Sequence, residues 1–185
     1  MEKLVQALEK HSTWKRALFL FIVSMLFATL IITMFFGRIQ LDANATMDSL
    51  TSYTSEVFHN SLELQGEAGR TGYLQLHIID YLFMSVFYLC MAMTLQLLIK
   101  KVFTTDKVRY LALIPFIALL CDFGENVMID VSIWMFPRQS QLMGVLAGYF
   151  TATKMMVINI TLVVIAALVI ARVWSGIFKG AKSRR

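Results

Sequence analysis

The sequence predicts an all-α integral membrane protein, a four-helix bundle with an additional amphipathic helix in the outer loop, and three observations predict it. Hydrophobic residues make up 58% of the 185-residue chain and charged residues 16%, against about 25% charged in an ordinary soluble domain. Four apolar runs are long enough to cross a hydrocarbon core of about 30 Å. Lys and Arg gather on alternate connections between those runs, the asymmetry that sets membrane orientation. A mean hydropathy of +0.67 excludes a disordered or collagen-like chain. The two cysteines, Cys90 and Cys121, lie inside apolar runs and read as small buried hydrophobes rather than a disulfide framework.

The N-terminal segment 1–16 carries Lys3, Lys10, Lys15 and Arg16. The first span, 17–37, holds 21 uncharged residues from Ala17 to Gly37. It is longer than the apolar core of a signal peptide and no A-x-A-like site closes it, so it reads as a retained helix. A loop, 38–77, leads to the second span, 78–99, which ends at Lys100 and Lys101. A basic connection, 100–109, precedes the third span, 110–134; a short loop, 135–142, precedes the fourth, 143–172, interrupted only by Lys154. The tail, 173–185, is basic again. Thirteen basic residues, counted with Lys107, Arg109 and Arg172, fall at one side, and only Arg38, Arg70 and Arg138 at the other. Both termini are therefore expected in the cytoplasm, with Trp14 and Trp174 in the inner interfacial belt and Trp134 in the outer one. Orientation and anionic-lipid contact account for the basic tail, so the expected partners are membrane lipids and not nucleic acid.

In the outer loop Met47, Leu50, Val57, Phe58 and Leu62 recur near helical spacing, which predicts an amphipathic helix over 46–64 with Asp42 or Asn44 as N-cap. Gly66, Gly69 and Gly72 then predict a hinge before the second span. Asn44-Ala45-Thr46 matches a glycosylation sequon.

Charges inside a span are the informative exceptions, since each costs about 2.5 to 3.5 kcal/mol at mid-helix. Counted at 1.5 Å per residue from Lys100, Arg109 and Arg172, five residues reach similar depth, about 20 to 30 Å from the basic side: Asp80, Asp122, Glu125, Asn126 and Lys154. Asp130 falls at the outer interface. On the third helix Asp122, Glu125, Asn126 and Asp130 share one arc, above Pro115, which predicts a bend; on the second, His77, Asp80, Tyr81 and Tyr88 share a stripe. On the fourth, Gly144, Ala147, Gly148, Thr151 and Lys154 align, and Gly144-x-x-x-Gly148 predicts close helix contact.

Three readings fit this constellation. In the first, Asp122, Glu125 and Asp80 are the candidate catalytic or ligand-binding acids of a site for a lipid headgroup or small polar ligand, with Asn126, Lys154, Arg70, Tyr81 and His77 as binding groups. His77-x-x-Asp80 with Asp122-x-x-Glu125 would supply ligands for a divalent ion, although Lys154 opposes a cation, and no cofactor is indicated. In the second, Asp122, Glu125 and Lys154 form a proton or ion relay, which requires a homo-oligomer to conduct. In the third, Lys154 pairs with an acid and the polar layer fixes the register of a packing or assembly protein.

The stretches Gly66-Glu-Ala-Gly69-Arg70-Thr-Gly-Tyr73, Asp80, Asp122-Phe-Gly-Glu125-Asn126 and Lys154 resemble a loose set of small four-span bacterial inner-membrane proteins with no established activity. The resemblance covers about residues 60 to 160 and implies a bacterial inner-membrane setting, without a catalytic role. Lipoprotein signal peptidases, also four-span proteins with two outer aspartates, differ: their Asn-x-x-Asp-Arg stretch is replaced by Asn126-Val-Met-Ile-Asp130-Val. Four-helix thiol oxidoreductases are excluded by the lack of a C-x-x-C.

Overall fold

The computed structural model describes residues 1–37, 50–103 and 105–182. Six α-helices and one 3-10 helix order these residues, with no strand among those described: α1 (Glu2–His11), α2 (Trp14–Gly37), α3 (Ser55–Leu64), α4 (Gly66–Val102), η1 (Asp106–Leu113), α5 (Ile114–Met135) and α6 (Gln141–Lys182). Among the described residues, four segments are long and apolar enough to cross a membrane: Trp14–Met34, Gly66–Val102, Lys107–Met135 and Gln141–Ser175. The protein is an all-α, multi-pass membrane bundle.

The helix α4 is the hub. Of its most apolar stretch, 56% is buried, against 11% for α2 and 17% for α6. It touches every other element, whereas α2 packs chiefly on α4, and α5 and α6 form an antiparallel hairpin beside it. The apolar faces that α2 and α6 turn outward, with Phe19 and Leu26 on one and Val163 and Ile170 on the other, suit hydrocarbon as solvent. At 1.5 Å per residue the 37 residues of α4 extend about 55 Å, well beyond the bilayer core.

At one end, here called the basic end, the segment expected to be a plain basic terminus folds as α1, which buries Val5 and Leu8. Glu2 Oε1 accepts from Arg109 Nη2 at 2.7 Å, and Glu2 Oε2 accepts the Tyr110 hydroxyl. Glu9 Oε1 accepts from Gln96 Nε2 at 3.1 Å. Lys101 lies over the Trp14 ring, 5.2 Å from its centroid. The Tyr110 hydrogen bond, with the Arg109 charge behind it, holds the Glu2 carboxyl below its ordinary value. A carboxyl lowered on docking favours the docked state above its ordinary value of 4.5 and loses that contribution as pH falls through the lowered value. Protection of residues 2–11 from hydrogen exchange, taken relative to the intrinsic amide rate at each pH, is therefore expected to fall in acid, and Glu2→Gln to be weakly protected across the whole range; wild-type protection that does not change with pH would count against the clasp.

At the other end, the loop end, the structure corrects two expectations, and a third is corrected where α5 begins. Helix α3 starts at Ser55 rather than 46, because Thr54 takes the N-cap, its Oγ1 accepting from the Val57 amide at 3.3 Å. Residues 50–54 are not helical, and the expected caps Asp42 and Asn44, the sequon and the first part of the stripe lie outside the described residues. Phe58 and Leu62 are buried while Leu50 and Val57 face outward. The predicted glycine hinge shrinks to one residue: Gly66 adopts φ +62°, and Gly69 and Gly72 lie inside α4. Pro115 does not bend a continuous helix; it stands in the first turn of α5, where the missing N–H has no helical acceptor to lose, and the irregularity is the 3-10 turn of η1 before it.

Candidate functional site

Along the α4–α5–α6 interface the polar side chains form a ladder. Nearest the loop end, Asp130 Oδ1 lies 2.5 Å from His77 Nδ1, and Asp130 Oδ2 accepts the Tyr81 hydroxyl at 2.9 Å. One turn further, Asn126 Nδ2 donates to Asp80 Oδ2 at 2.7 Å. Deepest, Lys154 Nζ stands 2.8 Å from Asp122 Oδ1 and 2.6 Å from Glu125 Oε2. Glu125 Oε1 also accepts Thr151 Oγ1 at 2.6 Å and the Tyr53 hydroxyl at 3.0 Å, and Asp122 Oδ2 accepts the Tyr88 hydroxyl at 2.9 Å. Glu125 is fully buried and Lys154 is 9% exposed.

The helical spacing explains why these groups meet. Asp122, Glu125, Asn126 and Asp130 recur at three- and four-residue intervals on α5, so the chain presents them in a row. The row reaches α6 at its near side, where Ala147 and Thr151 are buried, and α4 at its other side, where His77 and Tyr88 are buried. Close approach of α5 and α6 needs Gly124, since a Cβ there would come within 2.9 Å of the Phe150 ring.

Tyr53 reaches Glu125 because the chain before α3 lies on α6. A Cβ at Gly144 would stand 2.9 Å from Ser55 Cα, and one at Gly148 would overlap the Tyr53 carbonyl oxygen. The Gly144-x-x-x-Gly148 notch, expected to seat another helix along its length, thus seats the non-helical residue Tyr53 and only the first residue of α3, Ser55. Ser55 Oγ donates to the Gln141 carbonyl at 3.2 Å, and His59 Nε2 to the Ser140 carbonyl at the same distance, which pin the start of α3 to the start of α6. Beside this segment is a cavity of about 310 Å³, lined by Tyr53, Thr54, Gly148, Tyr149 and Ala152 among others.

Of the residues singled out in the sequence, Asp122, Glu125 and Lys154 meet directly, Asp80 and Asn126 pair, and His77 and Tyr81 turn to Asp130. Arg70 stands apart: its Nη1 donates to the Leu62 carbonyl at 2.9 Å and its guanidinium lies 3.7 Å from the Phe136 ring centroid. It closes the C-terminal end of α3 and stacks on the ring that follows α5. His77 and Asp80, proposed as metal ligands with Asp122 and Glu125, go to different partners, and among the described residues no three His, Cys, Asp or Glu side chains are placed to hold an ion. Tyr53 was invisible to sequence reasoning, since nothing near it marks a contact 72 residues away in the chain. Asp130 carried a signal, its place four residues beyond Asn126 on the same arc. No protein-family model, curated protein or solved structure matches the chain.

Proposed function

We propose that this is a bacterial inner-membrane protein, with both termini cytoplasmic, that binds a lipid headgroup or small polar ligand in the outer half of its bundle. The observation that carries the reading is Tyr53, which lines a cavity and bonds to Glu125 from the same segment. Its 310 Å³ is at the lower limit of ligand pockets, about 300 to 1,000 Å³. Movement of that one segment would join cavity and ladder. The ladder holds four carboxyl groups, Asp80, Asp122, Glu125 and Asp130, and a single ammonium, Lys154, which meets two of them, so a ligand bringing positive charge, such as an amine-bearing headgroup, offsets the surplus. Asp122 and Glu125 are both held by Lys154, an arrangement that favours binding over acid–base turnover.

Conduction is less well supported. One turn toward the basic end from Asp122, Lys154 and Tyr88, the buried neighbours are Ala118, Val157 and Met91, an apolar layer that gives a proton no side chain to continue on through one chain. The test compares the wild type with Tyr53→Phe and Glu125→Gln, each purified in mild detergent, by mass spectrometry of the extracted small molecules and lipids. An amine-bearing species enriched in the wild type is expected to fall about tenfold in Glu125→Gln, equivalent to loss of one good charge-assisted contact. Identical profiles in all three proteins would overturn the reading.

A further inference from the structure

At the basic end, away from the ladder, α1 crosses the lower end of a cleft between α2 and α5 whose floor is α4. The cleft encloses about 460 Å³, and its lining is almost wholly apolar, with Leu8 from α1, Phe19 from α2, Met93 from α4 and Phe116 from α5. Two lining groups are polar, His11 and Arg16, both at the junction of α1 and α2. Arg16 Nη1 donates to the His11 carbonyl at 3.0 Å and stands 3.2 Å from His11 Nδ1, so guanidinium and imidazole are held side by side. Both residues are exposed, and Lys10 and Lys15 flank them in the chain.

We propose that this cleft is a binding site for an anionic phospholipid, with an acyl chain between α2 and α5 and the phosphate on Arg16 and His11. Three features select this occupant. The cleft lies between segments that cross the membrane, so its apolar interior meets hydrocarbon rather than water. The polar groups are confined to one extremity, which matches an amphiphile with one charged head. That extremity is positively charged, with Lys10, Lys15 and Arg16, and this favours an anionic over a zwitterionic head. The site would attach α1 to the bilayer interface in addition to its contacts with α4 and η1.

Native mass spectrometry of the full chain in detergent, with phosphatidylglycerol or phosphatidylcholine added at equal concentration, tests the assignment. Phosphatidylglycerol is expected to be retained about fivefold more strongly, roughly the attraction of one cationic group near an anionic membrane surface. Arg16→Gln should remove most of that preference, lowering phosphatidylglycerol retention more than that of phosphatidylcholine, whose phosphate is already offset by its own choline cation. Because Arg16 also caps α1, a second variant is needed: Ala7→Trp fills the cleft from an exposed helical position, keeps every charge, and should lower retention of both lipids. Equal retention of the two lipids by the wild type, or unchanged retention in Ala7→Trp, would overturn the proposal. So would a dimer peak, in place of lipid adducts, that Ala7→Trp abolishes, since the occupant would then be a second copy of the chain.

Discussion

Lys154→Ala is expected to lower the stability of the bundle by about 3 to 5 kcal/mol, the range for removing one partner of a buried charge pair. The effect is large because one ammonium serves two carboxylates: its loss leaves Asp122 and Glu125 facing each other across a single helical turn with no cation between them. Their hydroxyl donors, Tyr88, Tyr53 and Thr151, would remain but cannot offset that repulsion. Thermal unfolding in detergent or nanodiscs measures the loss. The sharper measurement is rescue. Combining Lys154→Met with Asp122→Asn and Glu125→Gln removes all three charges together, and stability should return to within about 1 to 2 kcal/mol of the wild type. Failure of the triple variant to recover any stability would show that Lys154 acts through its packing and not as counter-ion. The rescued protein also separates structural from functional roles: if it folds normally but loses its ligand, the charges serve binding.

The second large effect is expected at Gly148. Gly148→Val places side-chain atoms where the Tyr53 carbonyl oxygen lies, and backbone cannot swing aside as a flexible side chain would. The segment 52–55 must lift, which breaks the Tyr53 bond to Glu125 and strains the Ser55 bond to the Gln141 carbonyl. A cost of about 1 to 3 kcal/mol is expected from overpacking, with loss of the hydrogen bond added to it. Tyr53→Phe provides the comparison, since it removes the hydrogen bond without moving the chain. Proteolysis near residue 53 should accelerate in Gly148→Val and not in Tyr53→Phe. Equal protection in both variants would mean that the segment is held by something other than the glycine notch.

Which parts of this arrangement were legible in the sequence follows from the range of the interactions. The spans could be read because a bilayer imposes length and apolarity on each helix separately, and α2, α4, α5 and α6 each carry that signature alone. The ladder could be read in part because Asp122, Glu125, Asn126 and Lys154 are costly in apolar runs, so each stands out without reference to its partner. Pairings were harder. His77 could have served Asp80, three residues away, yet bonds to Asp130 on another helix, a choice made by the rotation of α4 against α5. Arg70 stands out in the sequence only as a candidate binding group, and its contacts with the end of α3 and with Phe136 come from the fold alone. The contact of Tyr53 with the glycines of α6 had no local trace, because Gly144-x-x-x-Gly148 specifies a shallow surface and not what lies on it.

The α5–α6 hairpin has a consequence for the order in which the chain is made. α5 leaves the ribosome first and carries Asp122 and Glu125, each costing about 2.5 to 3.5 kcal/mol if it enters hydrocarbon ionised and alone. Their counter-ion, Lys154, is synthesised about 30 residues later, on a helix joined to α5 by the short turn between Met135 and Gln141. Neither helix is comfortable in lipid before the other arrives. The two are therefore expected to enter the membrane most readily as a pair, already neutralised against each other, so that the ion pair that holds the folded bundle also eases the insertion of α5 and α6.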